Sequence, residues 1–550
     1  MSEPAFKPTA NLSTILRWLL LSVAAIFFIL HFLHLRADFP NNSPWDDWSK
    51  YTDEGWYGDG AIRQVLFGHW YWKGDFNPAV ALPVWPALEY LVFRIAGVSL
   101  TAARALTLFV FGLTLVIAWL LLHRHPTLET KTRPLAAPLA MLLLCTSPFL
   151  YAFNRTAIIE PLLICLTLLA LLAASSLHLR LSGTWNLGPG TSAQPSAAER
   201  FRHTLPTIAL ALLLPTIILT KTTGICLFPA IFYLIWARAG YRLRPTLRLA
   251  IFPATIGTAI WIAYYILFAH RYLEDFRYIF SANGYTGFEL APLATVVLNT
   301  VSDGLWIGPI LYPLFLAALA LAVFWRPRLF ANPLIPALLL WIAGYFAFLG
   351  YHNNLQPRYY LVIAVPITLI VALAIDCFAT TRLTAILATA AVLAIAIPDA
   401  IRTLHFVRHP TYTFLTAAQG IRNVVLADKT HSHLILSISG SDLTLMTGLP
   451  SIDDDFGTMD LDERVRVYRP GWYAAWNQVD DDKMDALRPL YRLTRVAAFP
   501  AMDDPDRNLL ILYRLDPATA PPPPPHRKPR TPKPLITKLG QQPTTQQLTH

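Results

Sequence analysis

The sequence predicts a polytopic α-helical membrane protein carrying a small α/β domain near its C-terminus. Three observations lead there. Of 550 residues, 55% are hydrophobic and only 14% charged, with mean hydropathy +0.43; soluble domains carry about 25% charged residues. Apolar runs recur along residues 14–399 at lengths near those a bilayer demands. After about residue 400 the pattern changes to period-two apolar runs, turn residues and many acids.

Taken in order, candidate spans fall near 14–35, 102–122, 135–151, 156–178, 206–220, 222–237, 249–270, 305–324, 332–350, 359–378 and 383–399. The first runs into His31-Phe32-Leu33-His34-Leu35-Arg36-Ala37-Asp38 without a small-residue cleavage site, and is read as a retained helix. Segment 83–98, behind Pro83 and Pro86, reads either as a crossing or as an interfacial half-helix, giving eleven to thirteen crossings. With the N-terminus inside, Arg124, Lys131, Arg133, Arg180, Arg200, Arg202, Arg238, Arg242, Arg244, Arg248, Arg326, Arg328 and Arg382 all face the cytoplasm, as the positive-inside rule asks. Loop 180–205 reads as a flexible inside linker. Residues 401–516 read as the extracytoplasmic α/β domain, with strands near His433–Ser439 and Leu509–Tyr513 and turns at Ser439-Gly440 and Thr447-Gly448. Residues 517–550, with PPPPP at 521–525, read as a disordered, basic, Pro-rich tail.

The net charge of +10 is scattered between apolar runs and in the tail, so it sets orientation and is no footprint of nucleic acid. Cys145, Cys165, Cys226 and Cys377 all sit inside apolar runs, which argues against a disulfide framework or a thiolate metal site.

The chemistry concentrates in Ser49–Pro86. Here Asp53-Glu54 lies among Tyr51, Trp56, Tyr57, Trp70, Tyr71 and Trp72, an aromatic density that suits a membrane surface. Further charges interrupt apolar runs, where they are costly and mark functional cavities. These are Arg155 and Glu160 in SPFLYAFNRTAIIEPLLI, Lys221 in LLPTIILTKTTGICLFP, and Arg358 beside Tyr359 and Tyr360 in QPRYYLVIAVP. All of them fall on the outer side of the proposed topology. Three carboxylates and three cations on one face suit a site that handles an anion and a proton together.

At these residues the chain resembles the multi-spanning glycosyltransferases of the GT-C superfamily, of the protein O-mannosyltransferase and lipid A aminoarabinose transferase type. The resemblance covers roughly residues 10–400. It is carried by YTDEGWY after the first helix, the interfacial Pro-rich piece, Ala102-Ala103-Arg104, Arg155 with Glu160-Pro161, Leu219-Thr220-Lys221 and Arg358-Tyr359-Tyr360. The chain departs from the family at AVALPVWPALEY, where a lysine often precedes the prolines, and at Glu160, where many members have Asp.

The resemblance implies a GT-C-like transmembrane domain over 1–400, with residues 36–98 as an outer loop of interfacial helices. It also implies transfer of a hexosyl or pentosyl group from a polyprenyl-phosphate-linked lipid donor to a protein, lipid or glycan acceptor on the periplasmic or lumenal face. A bacterial inner membrane is the expected location, with hydrophobic grooves holding the prenyl chain. Asp53 is the expected base of an inverting displacement, since a carboxylate in a partly apolar cavity has the raised pKa that role favours. Glu54 assists it or holds an opposing cation such as Arg155. Lys221 and Arg358 are expected at the lipid phosphate, with Arg155, Glu160, Tyr57 and Tyr359 in the substrate site.

The family leaves room for a divalent ion between such carboxylates, but no His/Cys ligand spacing demands one. Asp453-Asp454-Asp455 and Asp480-Asp481-Asp482 read as solvated acidic loops, because neither fits the calcium-loop pattern. The rival readings are a polyprenyl-lipid flippase or transporter using the same charges as a path, and a membrane scaffold.

Overall fold

The structure is a computed structural model that describes residues 10–126, 135–177, 197–282, 294–295, 308–351, 356–505 and 507–518. Most of the linker 180–205 and nearly all of the tail 517–550 lie outside these residues.

Four described helices are long and apolar enough to cross a membrane, and seven shorter apolar helices accompany them. Together they coincide with the eleven expected spans, so the chain is an integral membrane protein of helical fold. The helix Pro357–Phe378 stands at the centre of the bundle, with 89% of its most apolar stretch buried, against 17% for Leu243–Leu267 at the periphery. Trp341, Tyr345 and Tyr360 fill the core around it. The peripheral helices turn Leu247, Ile251, Ile262 and Ile266, among others, outward, as a lipid-facing surface requires.

Segment 83–98 forms Val84–Ala96, a 13-residue helix. At 1.5 Å rise per residue it spans about 20 Å, short of a bilayer's ~30 Å hydrocarbon core. It packs against a second short helix, Asp53–Phe67. Alone it does not reach across the bilayer.

The last apolar helix runs to Arg408, beyond the expected end near 399. After the helix Thr413–Ala427 comes a five-stranded sheet ordered β2-β1-β3-β5-β4. β1 (Ile435–Leu436) is parallel to β2 (Ser451–Ile452) and to β3 (Trp472–Trp476). β4 (Tyr491–Asp504) and β5 (Arg507–Pro517) form an antiparallel hairpin joined to β3 through β5. The expected strand His433–Ser439 shortens to two residues, and the two turn signals there prove to bracket a helix, Gly440–Thr447. Gly448 closes that helix at φ +76°, the left-handed cap that glycine adopts without strain.

That helix docks the domain onto Asp53–Phe67. A Cβ added at Gly55 would lie 2.2 Å from the backbone nitrogen of Asp442, so the two backbones touch where no side chain fits. Around this contact the Trp56 indole donates to Ile438 O at 3.0 Å and Ser441 donates to Asp59 at 2.7 Å. Arg63 pairs with Asp59 at 3.0 Å and with Asp75, whose other oxygen accepts from the Asp453 amide at 3.0 Å. Gly55→Ala is expected to cost at least the ~1–3 kcal/mol of ordinary overpacking. Thermal unfolding would check this, together with faster proteolysis of the loosened C-terminal domain.

Asp453 and Asp454 are not the solvated loop expected. Both are buried: Asp453 accepts from the amides of Asp455 and Phe456, and Asp454 takes Lys483 at 2.9 Å. These acids pin a loop. Asp480–Asp482 do remain at the surface.

Candidate active site

The charged side chains of the site sit at helix starts on one end of the bundle. Asp53 and Glu54 open Asp53–Phe67, Glu160 opens Glu160–Ser175 ahead of Pro161, and Arg358 opens Pro357–Phe378 behind Pro357. Lys221 lies in the break between Ala197–Thr220 and the turn Thr222–Leu227. Proline in a first helical turn gives up an N–H that would be unpaired there. The acids meet the positive ends of their own helices.

Arg358 is the hub. Its Nη1 and backbone N–H both donate to Asp47, at 2.6 and 2.8 Å, and its Nη2 stands 3.0 Å from Asp53 Oδ2. Its Nε lies 3.9 Å from Glu160 Oε1 and has no hydrogen-bond acceptor among the described residues. Glu160 in turn pairs with Lys221, whose ammonium lies 4.2 Å from the centre of the Tyr359 ring; the Arg358 guanidinium is 4.9 Å from the same ring. Asp53, Glu160, Lys221, Arg358 and Tyr359 are thus brought together, all buried. Tyr57, one turn beyond Asp53, joins them partly buried.

Asp53 is 2% exposed. Burial pushes its carboxyl up to about 6 although Arg358 opposes the shift, and the Thr52 hydroxyl donates to its other oxygen at 2.9 Å.

Glu54 points elsewhere, and the structure does not bring Arg155 to it. Arg104 grips Glu54 bidentately, Nε to Oε1 at 2.8 Å and Nη2 to Oε2 at 2.6 Å, and the Ala157 amide adds a third bond at 2.8 Å. Arg155 instead donates to the carbonyls of Leu33 and His34 at 2.7 and 2.6 Å and stacks on Tyr151. Its geometry is that of a clasp on the end of the first helix.

Asp47 escaped the sequence reading. Its only signal was the acidic pair in WDDW, six residues ahead of Asp53-Glu54.

Among the described residues no group of three His, Cys, Asp or Glu side chains could hold a metal ion. Asp53 and Glu54 already face guanidinium groups, so the arrangement does not fit a divalent ion between them.

No family model matches the sequence, and no curated protein sequence matches it. Solved structures do. The chain is similar to ArnT from Cupriavidus metallidurans in the apo state, at 15% identity and TM-score 0.57, over 90% of this chain and 97% of that one. The same protein bound to undecaprenyl phosphate gives 15% and 0.58, over 90% and 98%. The oligosaccharyltransferase AglB from Archaeoglobus fulgidus, in complex with an inhibitory peptide and a dolichol-phosphate, gives 12% and 0.52, over 90% and 74%. At such identities the likeness shows a shared fold and nothing beyond it.

Proposed function

We propose that this chain transfers a sugar from a polyprenyl-phosphate-linked donor to an acceptor on the extracytoplasmic face of its membrane, with Asp53 as the base. The observation that carries the reading is the buried cluster in which one carboxylate stands beside Arg358 and the Lys221–Glu160 pair. The likeness to structures holding undecaprenyl phosphate and dolichol-phosphate supports the donor class.

In this reaction Asp53 takes the proton of the acceptor hydroxyl or amine. The acceptor's oxygen or nitrogen bonds to the anomeric carbon while the bond from the same carbon to the phosphate oxygen breaks, and the configuration inverts. Negative charge then collects on the departing lipid phosphate. Lys221, which has ammonium protons beyond the one given to Glu160, and Arg358, whose Nε has no hydrogen-bond acceptor among the described residues, supply preorganised positive charge there. Tyr57 and Tyr359 would wall the sugar site.

Next to Lys221 the same turn lends Leu219 and Thr222 to an apolar pocket completed by Trp261, Tyr264, Tyr265 and Phe276. It is apolar and partly open to the surface, the character a groove for a prenyl chain needs beside the phosphate site. A bacterial inner membrane with the site facing the periplasm is the location that fits this donor.

The test is release of free polyprenyl phosphate from a radiolabelled polyprenyl-phosphate hexose or pentose in proteoliposomes, with a membrane extract supplying acceptors. A base must be ionised to act, so the rate is expected to rise with pH through about 6, the value to which burial lifts Asp53. A rate independent of pH between 5 and 7 would remove Asp53 from that role. Movement of the lipid between leaflets without release would make the protein a flippase.

A further inference from the structure

Two buried acids take no part in the mechanism above. Glu89, on Val84–Ala96, is 0% exposed, and Asp442, on Gly440–Thr447, is 1% exposed. Neither forms an ion pair or a well-made hydrogen bond among the described residues. Both press on the helix that carries Asp53: a Cβ at Gly58 would lie 2.3 Å from Glu89 Oε2, and one at Gly55 would meet the backbone of Asp442.

The charges around them are unfavourable to ionisation. Glu89 faces Glu54 and Asp442, with the Trp85 indole as its polar neighbour. Asp442 faces Glu54 and Asp53, with the Gly55 backbone and Arg104 on the other side. Arg104 is the cation within this group, and Glu54 holds it bidentately.

We propose that Glu89 and Asp442 are positioning residues carried as neutral carboxylic acids, one from each element packed on Asp53–Phe67, and that their neutrality holds the base-bearing turn in place. An ionised carboxylate at either position would bury an uncompensated charge beside Glu54, which is costly. It would press the helix away at Gly55 or Gly58, where no side chain cushions the contact. Burial, with Glu54 adding to it, holds both carboxyls well above the usual carboxylate range. The positioning role rests on the reading of Asp53 as base; the protonation state does not.

The experiment uses the full-length chain purified in detergent, with Glu89→Gln, Asp442→Asn, both together, and the two alanine variants. Melting temperature is followed from pH 5 to 9. A carboxyl with a raised pKa in the folded protein keeps a proton that the unfolded chain releases, so its native state loses stability as pH rises. The wild-type melting temperature is therefore expected to fall with pH relative to the double amide variant.

In transfer assays the amide variants should match wild type at neutral pH and lack its alkaline decline, while the alanine variants lose roughly 100-fold through a misplaced base. Amide variants that melt normally yet are as inactive as the alanines would show that the charged forms are needed, overturning the proposal. So would a wild-type melting curve parallel to the double amide's across the pH range. Absence of transfer in wild type would sink the glycosyl-transfer reading and the positioning role with it, while the melting curves would still decide whether the two acids are neutral.

Discussion

Asp53→Asn is expected to lower transfer by about 10²–10⁴-fold, the usual contribution of a positioned base, while the protein still folds and binds its donor lipid. The structure supports the second half of that expectation. Arg358 keeps both bonds to Asp47 when Asp53 loses its charge. Asparagine fills the same volume, and replacing an acid whose burial opposes ionisation removes a cost. Unaltered melting and lipid binding alongside lost release would assign Asp53 to the chemistry. Retained release in the variant would exclude it.

Arg358→Met is expected to produce the largest loss of stability. The substitution leaves Asp47 and Asp53 buried without their guanidinium partner, and removing one member of a buried pair costs roughly 3–5 kcal/mol. Transfer should vanish as well. The control is Arg358→Met combined with Asp47→Asn. If the cost is an orphaned charge, the second substitution restores part of the lost stability, as a double-mutant cycle would read it. If the two losses simply add, Arg358 and Asp47 do not act as the pair the structure shows.

The membrane helices were legible because hydropathy sums over twenty residues and survives errors at any one of them. The stations of Asp53, Glu160, Lys221 and Arg358 were legible for a related reason: a charge at the edge of an apolar run has few places to go. Partner choice was not. Glu54 meets Arg104 rather than Arg155 because Leu100–Arg124 packs where its first turn reaches the acidic helix, and nothing local to either residue says so. The helix Gly440–Thr447 was hidden by its own ends, since glycines at both boundaries imitate turns. Asp47 was hidden because its local role, accepting from the Ser49 amide at the start of the turn Trp48–Lys50, says nothing of its pairing with Arg358, 311 residues on.

The seam between Asp53–Phe67 and Gly440–Thr447 joins residues far apart in the chain; Asp59 and Ser441 are separated by 382 positions. At synthesis rates of 5–20 residues per second that distance takes about 20–80 s to bridge. The acidic helix is made early and its cover late. Within that interval the membrane helices from Leu100 to Arg408 are made, and the cover of the acidic helix follows them. A chain that ends before residue 440 therefore has its membrane helices but leaves the helix Asp53–Phe67 uncovered at Gly55.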